Sequence, residues 1–287
     1  MDFLDLKSLT DFRSVVELEK LVWGFDAEDV VPVPMLVITV KRGGILVGAF
    51  DDRGEMVGFV YSLPGFKAGR PTQWSHMLGV VPEHRSVGLG YRLKLEQRQR
   101  ALDQGIELVE WTYDPLQALN AHFNFRKLGV VVKEYAPNVY GDSSSPLHRG
   151  NPTDRFVAEW WIRSPEVTER IARGSLDPAH DDLESVPLAT RATLSGRWLV
   201  CEAVDLSVSA SRLGVEIPID FSEMLASSPD LARDWRSATR EVFAAYLGRG
   251  YRVVDFVLQR ELGRGRYLLS REDARCDSPR EAGPVAG

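Results

Sequence analysis

The chain has 287 residues, 44% of them hydrophobic and 26% charged, with a formal net charge of −6. That length suffices for one large core or two modest ones, and the acidic balance argues against nucleic acid as the main partner, which would need a basic footprint. Residues 1–5 lack the basic start of a secretory signal, no apolar run is long enough to span a bilayer, and Cys201 and Cys276 form neither a metal nor a redox motif, so the expectation is a cytoplasmic protein with unpaired thiols, no membrane partner and no metal.

Residues 3–6 read as a short strand. The helix after it has Ser8 or Thr10 as cap, an apolar face of Val15, Leu18, Leu21 and Val22, and Gly24 at its end. Residues 35–41 fit helix or strand by period and are read as a helix ended by Gly43 and Gly44. Residues 45–50 and 56–63 are two strands of a hairpin, with acidic residues and Gly54 in the turn. Residues 74–81 are an apolar strand that Pro82 ends. A long helix begins near Gly88 and carries Leu89, Leu93, Leu95, Ala101 and Leu102. Its surplus of Arg92, Lys94, Arg98 and Arg100 is either a solvated face or an attraction for phosphates. Residues 106–113 form a further strand, and Asp114-Pro115 has the chemistry of a helix cap and first helical position. That helix ends at Gly129, and residues 130–140 and 154–162 read as paired strands.

The remainder begins with a polar stretch. The predicted division is a first domain over 1–163, a linker over 164–186, a smaller α+β part over 187–270 and a tail over 271–287. Within the third segment, residues 197–206, 213–218, 251–258 and 266–269 are strand candidates. Ser228-Pro229-Asp230 starts a helix lined by Leu231, Trp235, Ala238, Val242 and Ala245. Strand, long helix and strand over 215–255 repeat the order of 79–111 without its glycines, so this part is either a degenerate second copy or an unrelated cap that covers the sheet or makes a homodimer contact.

Between the strand at 74–81 and the long helix lies Val80-x-Pro82-x-x-Arg85-x-x-Gly88-x-Gly90. Its glycines allow a tight turn and close backbone approach, and the unpaired N–H groups of the helix's first turn favour an anion such as a pyrophosphate. The spacing matches neither the dinucleotide fingerprint nor the Walker loop. It resembles the acetyl-CoA-binding motif of the GNAT acyltransferase superfamily. Residues 120–129, ending in Lys127-Leu128-Gly129, are similar to that family's fourth-helix signature, and Trp111-Thr112-Tyr113-Asp114-Pro115-Leu116 stands at the end of the adjacent strand. With the segments at 138–141 and 153–155, the whole chain looks like a poorly characterised bacterial and archaeal group of GNAT-related proteins.

The resemblance implies an α/β (α+β) fold, a mixed and mostly antiparallel sheet flanked by helices, with acetyl-CoA or another acyl-CoA as co-substrate. It implies a cofactor site of Leu78, Gly79, Val80, Val81, Arg85, Ser86, Val87, Gly88, Leu89, Gly90, Tyr91, Asn120 and Phe123. The expected function is transfer of an acyl group to a small-molecule or peptide amine. A non-catalytic acyl-CoA sensor or assembly module is the alternative, and a nucleotide-binding regulatory domain is a third class. For the base, His76 comes first, sharing strand parity with Trp74, Leu78 and Val80, and Glu110 second. Asp114 is best explained as a helix cap. The family's usual tyrosine position holds Phe125, which cannot donate a proton, so Tyr113, His122 and Tyr140 are the substitutes for the acid.

Overall fold

A computed structural model describes residues 1–26, 28–85, 88–141, 150–174 and 185–271. Ser86 and Val87 of the glycine loop, Cys276, residues 175–184 of the expected linker and nearly all of the expected tail lie outside the described residues. The chain folds as two compact units with bounds drawn differently from the expected division. Unit 1 comprises 1–111 and 160–163, and unit 2 comprises 112–159 and 164–287.

Unit 1 begins with β1 (Asp2–Asp5), α1 (Leu9–Trp23) and α2 (Val33–Lys41). Ser8 caps α1 in a reciprocal box: its hydroxyl accepts from Asp11 N while Asp11 accepts from Ser8 N. The strands β2 (Ile45–Phe50), β3 (Met56–Lys67) and β4 (Arg70–Val80) follow, then α3 (Leu89–Asp103) and β5 (Leu108–Tyr113). Asp51 shapes the β2–β3 turn by accepting from Arg53 N and Glu55 N at 2.9 Å each. Strand order is β1-β2-β3-β4-β5, antiparallel except for the parallel pair β4–β5. The buried stripe of α3 is Leu89, Leu93, Lys94, Gln97 and Ala101. The expectation that Lys94 lies on a solvated or phosphate-facing surface is overturned, because its position shares the core face with Gln97 and Ala101, three and seven residues on.

Unit 2 contains α4 (Ala118–His122), which widens into a π-helical turn at Phe123–Leu128, then β6 (Val131–Ala136) and β7 (Arg155–Trp161). Next come α5 (Pro165–Arg173), β8 (Thr190–Ser195), β9 (Trp198–Val204), β10 (Arg212–Pro218), α6 (Phe221–Ser227), α7 (Pro229–Gly248), β11 (Arg252–Gln259) and β12 (Arg264–Ser270). The helix α5 occupies residues read as linker. Ser164 caps it, and Arg170 ties it down by donating to Phe125 O at 2.8 Å. Strand order is β7-β6-β11-β12-β10, all antiparallel, with β8–β9 as a separate pair. The two strands joined by α7, β10 and β11, therefore run parallel with β12 between them.

The core of unit 2 is an aromatic cluster in which Phe156 meets Phe243 at 4.6 Å and Tyr267 at 5.6 Å between ring centroids. The buried stripe of α7 is Ala232, Trp235, Arg236, Thr239, Val242, Phe243 and Tyr246, rotated from the expected one so that it includes an arginine. Arg236 is bidentate to Asp114 at 2.8 and 2.6 Å. Asp114 also accepts from Leu116 N at 2.9 Å, but α4 begins only at Ala118 and Gln117 is its cap residue. The expected helix cap is thus a turn and a buried ion pair. Both partners lie far apart in sequence, so local capping rules could not find it.

Candidate functional site

The strand β4 is paired with β3 along its whole length, from Lys67↔Arg70 to Gly58↔Val80. With β5 it shares only Gln73↔Val109 and Trp74↔Glu110. Among the described residues of unit 1, the parallel register ends there, and β4 continues from Ser75 to Val80 with one edge open. Unpaired backbone groups on such an edge are a ready partner for an extended ligand.

A β-bulge falls on the open segment. Tyr61 faces Met77 and Ser62 faces Ser75, so His76 is the extra residue of β4. The bulge shifts the alternation of side chains, so Trp74 and Leu78, which pair with Leu63 and Val60, lie on opposite faces, and the parity expected to run from Trp74 through His76 to Leu78 and Val80 is broken. The His76 side chain is exposed, with Tyr61 edge-on at 6.0 Å between ring centroids. Loss of solvent on the protein side lowers its pKa below the ordinary 6.5.

At the carboxyl end of β4 the chain makes a single turn at Pro82–His84 and then enters α3. Gly88 stands at the amino end of α3 with φ +78°, a left-handed conformation that side chains strain. Among the described residues no side chain caps it, and the first turn carries no acidic residue. The N–H groups of Leu89, Gly90 and Tyr91 precede the first intrahelical bond, from Arg92 N to Gly88 O. They and the helix dipole present positive potential beside the end of β4. Arg85 braces the loop: Nε donates to Val80 O at 3.0 Å and Nη2 to Val22 O at 3.4 Å. A Cβ on Gly79 would lie 3.0 Å from both Phe59 and Trp23, so α1 closes tightly over β4 there.

The remaining expected residues fall as follows. Leu78 is half-buried, Val80 and Val81 are buried, and Val81 N donates to Val57 O at 3.0 Å. Tyr91 is half-buried, with its phenol pKa raised by desolvation. Glu110 is buried and its carboxylate pairs with Lys67 at 2.6 Å, which accounts for a carboxylate in an apolar strand. In unit 2, Asn120 is exposed and Phe123 half-buried. Tyr113 is 3% exposed, edge-on to Phe156 at 5.7 Å, and burial pushes its pKa well up. Phe125 is a core residue against Tyr267 at 5.9 Å.

Two titratable groups of unit 1 were missed. Glu19 of α1 is fully buried, accepts from Val31 N at 2.8 Å, and has its pKa pushed up to about 7 by desolvation. Lys94 is 4% exposed, and no carboxylate pairs with it among the described residues. Its Nζ lies 2.9 Å from Ser75 Oγ, 3.0 Å from Gln97 Oε1 and 3.7 Å from the centroid of the Trp111 ring. Desolvation lowers its pKa well below 10.5. A lysine two residues from an arginine on an amphipathic helix gives no sequence signal of burial.

No family model matches the chain, and no curated protein matches it. Solved structures do. One is an aminoglycoside 6'-acetyltransferase type Ii, at 18% identity over 57% of this chain and 99% of the other, with a TM-score of 0.45. Another is an acetyltransferase of the GNAT family from Streptococcus pneumoniae, at 15% identity over 55% and 98%, with a TM-score of 0.44. A third is a chain of the NatC complex bound to Gag peptide and CoA, at 11% identity over 55% and 96%, with a TM-score of 0.44. The solved structures similar to this chain thus include GNAT acetyltransferases. At these identities and TM-scores the likeness assigns neither activity nor substrate. No helix among the described residues is long and apolar enough to cross a membrane.

Proposed function

We propose that unit 1 binds a thioester of coenzyme A and transfers its acyl group to an amine, as an N-acyltransferase of GNAT type. One observation supports this above the others: β4 parts from β5 after Trp74↔Glu110 and then delivers the chain to the uncapped amino end of α3. In this reading the pyrophosphate rests on the N–H groups of Leu89, Gly90 and Tyr91. The pantetheine arm runs back along the open edge of β4, its amides pairing with the strand as a further strand would. The thioester then comes to lie at the bulge, beside His76.

An amine attacks only after losing a proton. His76 is the group of unit 1 best suited to take it: it is exposed, it stands on the bulge, and its lowered pKa keeps the imidazole unprotonated at neutral pH. The thiolate leaves without an acid in this scheme, since a reference thiol pKa of about 8.5 makes it a fair leaving group.

Gly88 is a poor position for the test, because its left-handed φ makes any side chain costly whether or not a ligand binds. Gly90 separates the readings. Among the described residues a Cβ there meets only Leu78 Cδ2, at an ordinary 3.4 Å. An aspartate in the first turn of α3 favours the helix dipole and repels a pyrophosphate. Gly90→Asp is therefore expected to fold at least as stably as the wild type and to lose the ligand-induced rise in stability. That rise is about 2.7 kcal/mol at roughly a hundredfold excess of acetyl-CoA over Kd. Thermal melts with and without acetyl-CoA measure it, and a Gly90→Asp protein that keeps the full rise refutes the cradle.

A further inference from the structure

Lys94 is the only lysine among the described residues that is buried, and its place is the point where β4 and β5 part. The last pair of that register is Trp74↔Glu110. The next residues on the two strands are Ser75 and Trp111, and Lys94 Nζ touches both, at 2.9 Å from Ser75 Oγ and 3.7 Å from the Trp111 ring centroid. Trp160 closes the far side, with its ring centroid at 5.8 Å. The amine therefore sits at the apex of the notch, reached from the α3 face of the sheet.

The partners of the nitrogen can accommodate a neutral amine there. A neutral lysine has two N–H groups and one lone pair. Gln97 Oε1, at 3.0 Å, takes one N–H, and the face of Trp111 takes the other. The lone pair then accepts from the Ser75 hydroxyl, whose oxygen accepts in turn from Gln97 Nε2 at 3.0 Å. The same three partners would also take the three N–H groups of an ammonium, so burial decides the charge state. An ammonium would place a full charge in this dry pocket without a carboxylate to balance it. The lowered pKa of Lys94 agrees with the same assignment. In this arrangement the lone pair is directed at Ser75, the first residue of the open edge.

We propose that Lys94 is an internal acyl acceptor, modified by the CoA thioester that lies in the notch. This rests on the acyl-CoA reading of unit 1. The Ser75 hydroxyl turns aside, and the nitrogen lone pair adds to the thioester carbonyl carbon. The carbon–sulfur bond breaks, and the thiolate leaves with the proton the nitrogen gives up. The products are Nε-acyl-Lys94 and the free thiol of CoA. The acyl group then fills the head of the notch, so the modified protein binds acetyl-CoA more weakly than the unmodified one.

The test is incubation of the full chain with acetyl-CoA at neutral pH, followed by intact mass measurement and peptide mapping. The expected result is one acetyl group per chain, on Lys94. It should form at least roughly tenfold faster than at any surface lysine, whose ordinary pKa of about 10.4 leaves on the order of one amine in a thousand unprotonated. Lys94→Met, shown to be folded and to bind CoA by its melts, should acquire no such group. The wild-type peptide map stands by itself if that variant fails to fold. Acetyl-CoA binding without modification of Lys94 overturns this inference alone, as does acetylation spread over the surface lysines. Absence of acetyl-CoA binding overturns it together with the proposed function.

Discussion

Replacing Glu19 by glutamine should stabilise the protein in a strongly pH-dependent way. The carboxyl of Glu19 is fully buried, with Oε2 on Val31 N at 2.8 Å and Oε1 without a hydrogen-bond partner among the described residues. Burial raises its pKa from 4.5 to about 7. An acid whose folded pKa is raised binds its proton more tightly in the native state. Its full stabilising effect is present below pH 4.5 and is lost as pH rises toward 7, because the unfolded chain ionises first. Each pKa unit corresponds to about 1.4 kcal/mol, so the interval amounts to roughly 3 kcal/mol. Glutamine copies the protonated acid: its oxygen can accept from Val31 N, and its amide stands where the O–H would. Wild type and Glu19→Gln should therefore unfold at similar denaturant concentration near pH 4. By pH 8 the variant should be more stable by roughly 2–3 kcal/mol, read from urea unfolding curves of equal slope. A difference that does not change with pH would refute the assignment of a buried, ionising carboxyl at this position.

Lys94→Met should also stabilise the protein at neutral pH. The lowered pKa means that the unfolded chain binds the extra proton, so the variant's advantage shrinks as pH rises toward 10.5; the same unfolding curves measured at pH 7 and pH 10 check this. Asp114→Ala should destabilise unit 2 by roughly 3–5 kcal/mol, because it leaves the Arg236 guanidinium, 3% exposed, without its bidentate partner. Asp114→Ala paired with Arg236→Met should recover much of that loss, and a double variant no better than the single one would place the cost elsewhere.

The local chemistry of this chain was legible from its residues alone. The Ser8 cap, the Asp51 turn and the glycine loop into α3 each depend on neighbours within a few positions, and short-range geometry decides them. The alternation of strands and helices through β7 follows from the same kind of signal. What only the tertiary structure decided is which groups meet across elements. The bulge at His76 comes from the pairing register of β4 with β3, and register is a property of two strands, not one. Lys94 is buried because α3 turns the face it shares with Gln97 and Ala101 toward the parting of β4 and β5, with Ser75 and Gln97 satisfying its nitrogen. Asp114 reads locally as a cap and is bound globally by an arginine of α7. β12 lies between β10 and β11, a choice that the order strand, helix, strand leaves open. Polar side chains inside a core carry no periodic signature, because their burial depends on partners that the fold brings from far along the chain.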